Sequence, residues 1–362
     1  MDAQREPTLR DVARLAGVHP STASRCMDAV QSARIGVSTR ERVLAAAREL
    51  GYQLNPAASS LRSGRTMTVG VLIPDFSNPV FGSLLTGIND RLEDSGYTAV
   101  IFETKDDERR MARALQVMKE RRVDALINTA AREQDQRPLA QFLRQGIPMV
   151  LASRDLPALD VPKILGDDFA GATLAAQHLV QLGHRRIVQL CGPQVIAAFA
   201  ERARGFQFAL GQSATGASAL EKRAGSASVD EGRELMLDSL REDGAVTGVF
   251  AHNDLLAIGA IAAVRQAGLS CPGDVSVVGY GATPLTEYLD PSLTTVLYPA
   301  VQLGRSAADT VLSVLRGDEP PSAVALRPRL ITRASTAPAR ARQRVHMKGN
   351  LLERHDNEDL RN

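Results

Sequence analysis

From Thr68 onward the chain alternates short apolar runs with stretches of helical spacing, and no other feature restricts its possible folds as much. Residues 69–73, 98–102, 125–128, 149–151, 187–190, 248–251 and 275–279 predict buried strands. Residues 81–94, 109–121, 170–182, 202–210 and 255–267, lying between them, predict helices. A strand that reaches its neighbour through a helix runs parallel to it, so the expected body is α/β, with doubly wound parallel sheets covered on both faces. The strand count suits two lobes, the second sheet beginning after about Ile164.

The first 65 residues follow a different rule. Thr8 precedes apolar residues at 9, 12, 13, 15 and 16, and Asp11 stands three positions on, which predicts a capped amphipathic helix. Gly17 permits a tight turn, Val18 returns to the core, and Pro20 fits the first position of a second helix ending near Met27. Ser38-Thr39-Arg40-Glu41 reads as a capping box opening a third helix, with Val43, Leu44, Ala47 and Leu50 inward and a stop at Gly51. The expected head is a three-helix helix-turn-helix unit. Outside its core positions the second helix is short and polar (Ser21, Thr22, Ser24) apart from Arg25, a slim surface able to enter a major groove. Arg25 can bond guanine O6 and N7 together. Asn55-Pro56 then opens a short small-residue segment carrying Leu61 beside Arg62 and Arg65; it predicts a hinge helix that folds on its target and wedges leucine between base steps.

Charge supports this division. Residues 1–65 hold ten arginines, no lysine and six acids, an excess of +4 within a chain of net +2. A basic head on a slightly acidic body suits a polyanion partner, expected to be double-stranded DNA. Three separated cysteines without CxxC spacing exclude a disulfide framework, and no metal or cofactor is expected. No apolar run approaches a membrane span and no signal segment opens the chain, so a cytoplasmic protein is expected. Phosphate-loop, nucleophile-elbow, dinucleotide and zinc-protease motifs are missing, which speaks against an enzyme. Six scattered histidines add no catalytic cluster; His178 and His184 flank a helix C-terminus, and a structural role through the helix dipole is expected of them. Arg109, Arg110 and Arg113 read as a solvated helix face.

The combination TLRDVARLAGVHPSTASR, NPAASSLRSGRT, VGVLIPDFSNPVF, HLVQLGHRRI, RARGF, HNDLLAIGA and PGDVSVVGYGATPL resembles the lactose-repressor/purine-repressor (LacI/GalR) family of bacterial transcription regulators. The resemblance runs from Thr8 to about Thr336. It implies a head over residues 1–54, a hinge helix over 55–65 and a two-lobed core resembling periplasmic binding proteins over 66–338, leaving a disordered tail over 339–362. It further implies that the chain returns to the first lobe near Thr294. By resemblance Pro20, Ser21 and Arg25 read bases, Thr8 and Ser24 contact phosphates, and Leu61 intercalates at the operator centre. His19, Thr22, Asn55 and Arg62 complete the expected DNA-binding set. Effector contacts are expected from Ser77, Phe81, Ser153, Arg154, Arg202, Asn253 and Gly281, and a homodimeric repressor is expected. The tail has no leucine heptads, so the family's tetramerising coiled coil is not expected.

Several family anchors are altered. His19 stands where a serine usually caps the recognition helix, Asp28 where an asparagine is usual, and residues 29–37 form a slightly longer loop. Ser153 and Gly281 each replace an aspartate, and Ala227 an aromatic. Each buried sugar hydroxyl left unpaired would cost ~1–3 kcal/mol, which disfavours an ordinary pyranose. The expectation is an anionic or smaller effector held by Arg154 and Arg202, or no effector. Asn253-Asp254 reads as a helix cap, a ligand contact, or one residue for each. A sugar receptor or α/β enzyme with an incidental head is the competing class.

Overall fold

The computed structural model describes residues 7–27, 35–52 and 64–340. Contacts divide the chain into one unit up to Met67 and another from Thr68.

The first unit holds α1 (Leu9–Leu15), α2 (Pro20–Met27) and α3 (Val37–Glu49). Thr8 opens α1 from an extended backbone; its N–H and hydroxyl both donate to Asp11, at 3.0 and 2.6 Å. Gly17, at φ +65°, makes the turn that only glycine adopts cheaply, and the Val18 N–H closes it on the Ala13 carbonyl at 3.0 Å. Val12, Ala13, Ala23, Cys26, Val43 and Ala47 form the centre of a small core. The third helix departs from expectation at its start. Gly36, not Ser38, is the N-cap, and no side chain caps it, so Ser38 falls inside the first turn. Leu44 and Leu50 are only half-buried, and Ala46 takes the inner position beside Val43 and Ala47.

The second unit has two six-stranded sheets. The first contains β1 (Thr68–Ile73), β2 (Thr98–Glu103), β3 (Ala125–Asn128), β4 (Met149–Ala152) and β5 (Lys163–Gly166), completed late in the chain by β11 (Ala323–Leu326). Its order is β11-β5-β4-β3-β1-β2, parallel throughout. The second contains β6 (Arg186–Cys191), β7 (Ser218–Arg223), β8 (Gly248–Ala251), β9 (Ser276–Gly281), β10 (Thr294–Leu297) and β12 (Arg329–Ile331), in the order β12-β10-β9-β8-β6-β7. Only β12 runs antiparallel to its neighbour.

The helices are α4 (Pro79–Glu93), α5 (Glu108–Glu120), α6 (Gln136–Leu143), α7 (Asp168–Gln181), α8 (Ala197–Gly211), α9 (Val229–Glu242), α10 (Asp254–Gln266) and α11 (Ala300–Arg316). Each sheet is covered on both faces. One core lies under α5 and α6, a second under α9 and α10, and a third is continuous between the lobes through Tyr280 and Tyr298. Helices α4 and α11 pack in backbone contact. A Cβ on Gly87 would lie 2.0 Å from the Val301 carbonyl oxygen, and one on Gly304 2.1 Å from that of Leu84. No helix among the described residues is long and apolar enough to cross a membrane.

One strand expectation needs correction. β2 is a half-exposed edge strand, not a buried one, because nothing pairs beyond it. β5, which contains Ile164, belongs to the first sheet, and the second begins after it with β6, as expected. The return to the first lobe comes just after Thr294: β10 still pairs with β9 in the second sheet, and the crossing follows it, into α11. Order also reaches past the expected tail boundary, since the Ala339 N–H donates to the Leu182 carbonyl at 2.8 Å. His184 and His178 help to hold this last segment. The His184 ring bonds Thr247 Oγ1 and the Ala337 carbonyl, and His178 Nε2 bonds Thr336 Oγ1. Burial pushes both imidazoles below their usual range, so they act through hydrogen bonds, not as cations on a dipole.

Candidate functional site

In the body, strand ends from both sheets meet at a cleft of about 540 Å³. Each sheet reverses its winding direction here, between β1 and β3 in one and between β6 and β8 in the other. Of the six described non-glycine residues with positive φ, Lys105, Asp106 and Ser153 line it, and Ala282 stands between the lining residues Gly281 and Thr283. Such backbone persists only where its surroundings fix it, and it concentrates at binding sites.

All seven expected effector residues line this one cleft: Ser77, Phe81, Ser153, Arg154, Arg202, Asn253 and Gly281. The loop after β1 is fixed by Asp75, whose carboxylate accepts from the Ser77 N–H and hydroxyl at 2.8 and 2.7 Å. Asn78 then caps α4, with Pro79 in its first turn, which sets Phe81 against the cleft.

Neither arginine is free. Arg154 donates through both terminal nitrogens to the Asp106 carboxylate, at 2.5 and 3.1 Å. Arg202 is buried; its Nε donates to Asp168 at 2.8 Å and its Nη1 to the His252 carbonyl. Its guanidinium lies 3.7 Å from the Tyr280 ring centroid and 5.2 Å from that of Phe199. Burial opposes the charge on Arg202, but Asp168 outweighs that and holds the guanidinium protonated. Burial likewise pushes the Asp168 carboxyl upward, and Arg202 draws it back only in part. Arg204, two positions along, is exposed and pairs with Glu201.

Asn253 and Asp254 divide their roles. Asn253 Oδ1 caps α10 through the Leu256 N–H at 2.8 Å, while Nδ2 donates to the Ala227 carbonyl at 2.9 Å. Asp254 accepts from the Thr283 N–H and from the Thr283 and Thr295 hydroxyls, bracing the turn after β9. This explains Gly281: at φ +138°, a Cβ there would stand 2.9 Å from Asp254 Oδ2. Ser153 also serves the protein, accepting a hydrogen bond from the Tyr298 hydroxyl at 3.0 Å.

Sequence reasoning missed Lys105, Asp106, Phe199, Tyr280 and Tyr298 on the cleft wall. Phe199 sits one helical turn before Arg202, a spacing that could have exposed it. Asp106 has no local signal, being 48 residues from Arg154. The described residues show no metal-ligating cluster. Burial pushes the Cys191 and Cys271 thiols up to about 12, so neither is a ready nucleophile.

In the head, His19, Pro20, Ser21 and Arg25 are exposed along one edge of α2, while Ala23 and Cys26 hold its other face to the core. Thr8, Thr22 and Ser24 are half-buried. His19 retains the capping role expected of serine: its Nδ1 accepts from the Ser21 N–H at 3.3 Å and lies 2.8 Å from Ser21 Oγ. Asp28, Asn55, Leu61 and Arg62, with hinge residues 55–63 and the tail beyond Arg340, lie outside the described residues.

Comparison with known proteins bears on both units. The family described as bacterial regulatory proteins, lacI family, matches residues 8–55, and the periplasmic binding protein-like domain matches 176–336. The HTH-type transcriptional regulator DegA of Bacillus subtilis is 31% identical over 334 residues, covering 91% of this chain and 98% of DegA. The lac repressor dimer bound to operator and the anti-inducer ONPF superposes with a TM-score of 0.81 at 27% identity, over 92% of this chain and all of that one. The transcriptional regulator CelR in complex with cellobiose gives a TM-score of 0.69 at 30% identity, over 91% and 99% of the two chains.

Proposed function

This chain belongs to the lacI family of bacterial regulatory proteins and is a DNA-binding transcription regulator rather than an enzyme; on that footing we propose that it represses as a homodimer on a pseudo-palindromic operator. Residues 1–54 form the reading head, 55–65 the hinge, 66–338 the effector-binding and dimerising core. Pro20, Ser21 and Arg25 face base edges in each half-site, with His19 and Thr22 beside them. Thr8 and Ser24 take phosphates, and Asn55, Leu61 and Arg62 engage the operator centre. The observation that carries the reading is the exposed edge of α2, where the only long donor is Arg25. The dimeric, operator-bound state of the lac repressor relative supports pairing of two copies.

A small molecule in the cleft, contacting the seven residues named above, would shift the lobes and alter operator affinity by linkage. The cellobiose of the CelR complex supports a small organic effector of this kind. Footprinting on selected operators tests the DNA contacts. Arg25→Ala relaxes base choice at one position per half-site, and Leu61→Ala weakens specific more than non-specific binding. Footprints and affinities equal to the parent's in both variants would overturn the assignment.

A further inference from the structure

On the reading that the cleft holds the effector, we infer that Asp106 is a specificity-determining residue: it occupies the Arg154 fork from within and so selects a neutral effector over an anionic one. Three cations line the cleft, and each already meets a carboxylate. Lys105 lies 3.5 Å from Glu103, Arg154 2.5 Å from Asp106, and Arg202 2.8 Å from Asp168. Among the lining residues themselves, Asp75, Asp106 and Asp254 match these cations in number. An incoming carboxylate or phosphate is held most strongly by a fork of two parallel N–H donors. At Arg154 both terminal nitrogens face Asp106, and at Arg202 Nε and Nη1 are engaged. To seat there, an anion must evict Asp106 and then lie beside its charge.

A neutral polar ligand meets no such repulsion. The Asp106 side chain is 36% exposed, and a carboxylate with two hydrogen bonds from Arg154 keeps lone pairs for ligand hydroxyl or amide donors. Asp106 therefore supplies a charged acceptor, where Ser153 offers only a hydroxyl that already accepts from Tyr298.

The carboxylate is also held in place. Arg132 donates to the Asp106 carbonyl, and Arg132 is anchored by two hydrogen bonds of 2.9 Å to the fully buried Asp135. Lys105 and Asp106, both at φ +51°, form a turn that this anchor fixes. An accidental surface ion pair would need no such support.

The test uses inorganic phosphate and acetate as probes on the full-length protein at constant ionic strength, read by calorimetry. Asp106→Asn and Asp106→Ala should each bind phosphate at least tenfold more tightly than the parent, and adding Arg154→Gln should cancel the gain. Two variants guard against one that folds poorly. Equal phosphate affinity in the parent and both single variants would overturn the proposal, as would a gain that survives Arg154→Gln. Operator binding by the parent is measured in parallel; its loss would break the regulator reading while leaving the anion comparison intact.

Discussion

The cleft has two arginine–aspartate pairs, one from each lobe, and they differ in what surrounds them. In the second lobe Arg202 and Asp168 are both buried, with Tyr280 and Phe199 beside the guanidinium. In the first lobe Arg154 is buried but Asp106 is open to the cleft on a turn. The same two residue types thus build a fixed part of the frame on one wall and a cleft-facing carboxylate on the other. Burial decides which: a charge removed from water depends on its partner, whereas a half-exposed one can exchange that partner for a ligand.

The largest expected effect lies in the buried pair. Asp168→Ala strands Arg202 and should cost ~3–5 kcal/mol of body stability in urea unfolding. If Asp106→Ala costs as much, the contrast between the walls is lost; a cost of about 1 kcal/mol or less supports it. Acid should strain the second wall. Burial, followed by the Arg202 charge, holds His252 well below its usual 6.5. Below pH 6.5 the unfolded chain takes a proton that folded His252 refuses, so stability falls with pH by up to ~1.4 kcal/mol per unit until the folded value is reached. His252→Asn should reduce that slope in urea titrations between pH 7.5 and 5.5, without abolishing it, because His178 and His184 titrate in the same sense. An unchanged slope would place the acid sensitivity elsewhere. The smallest effect belongs to the head: His19→Ala removes the α2 cap and should cost about 1 kcal/mol, seen as a lower thermal midpoint of the head.

What could be read in the sequence follows from the range of the signal. The capped start at Thr8, the glycine turn at Gly17 and the apolar strand runs are local, and the structure shows all of them. β7 was not legible because SALEKR, at a sheet edge, needs no apolar run. β11 and β12 are short late additions whose partners lie far back or across the crossover. Positions of the cleft arginines could be read from the resemblance, but their partners could not. Asp106 and Asp168 reach them from other strand ends, and an unpaired arginine in sequence is a paired one in the fold. The anionic effector expected from Arg154 and Arg202 took no account of these partners.

The chain leaves the first lobe after β5 and returns only for α11 and β11. During synthesis, the five strands that emerge first therefore wait for residues 300–326 before their sheet gains its last strand and the helix that packs on α4. A ribosome stalled anywhere before that point releases an unfinished lobe with apolar surface bare, while the head, complete within its own short stretch, has already had the means to fold. Quality control on this regulator thus rests on residues 300–326, and a truncated product would present an intact reading head on a trunk that cannot close.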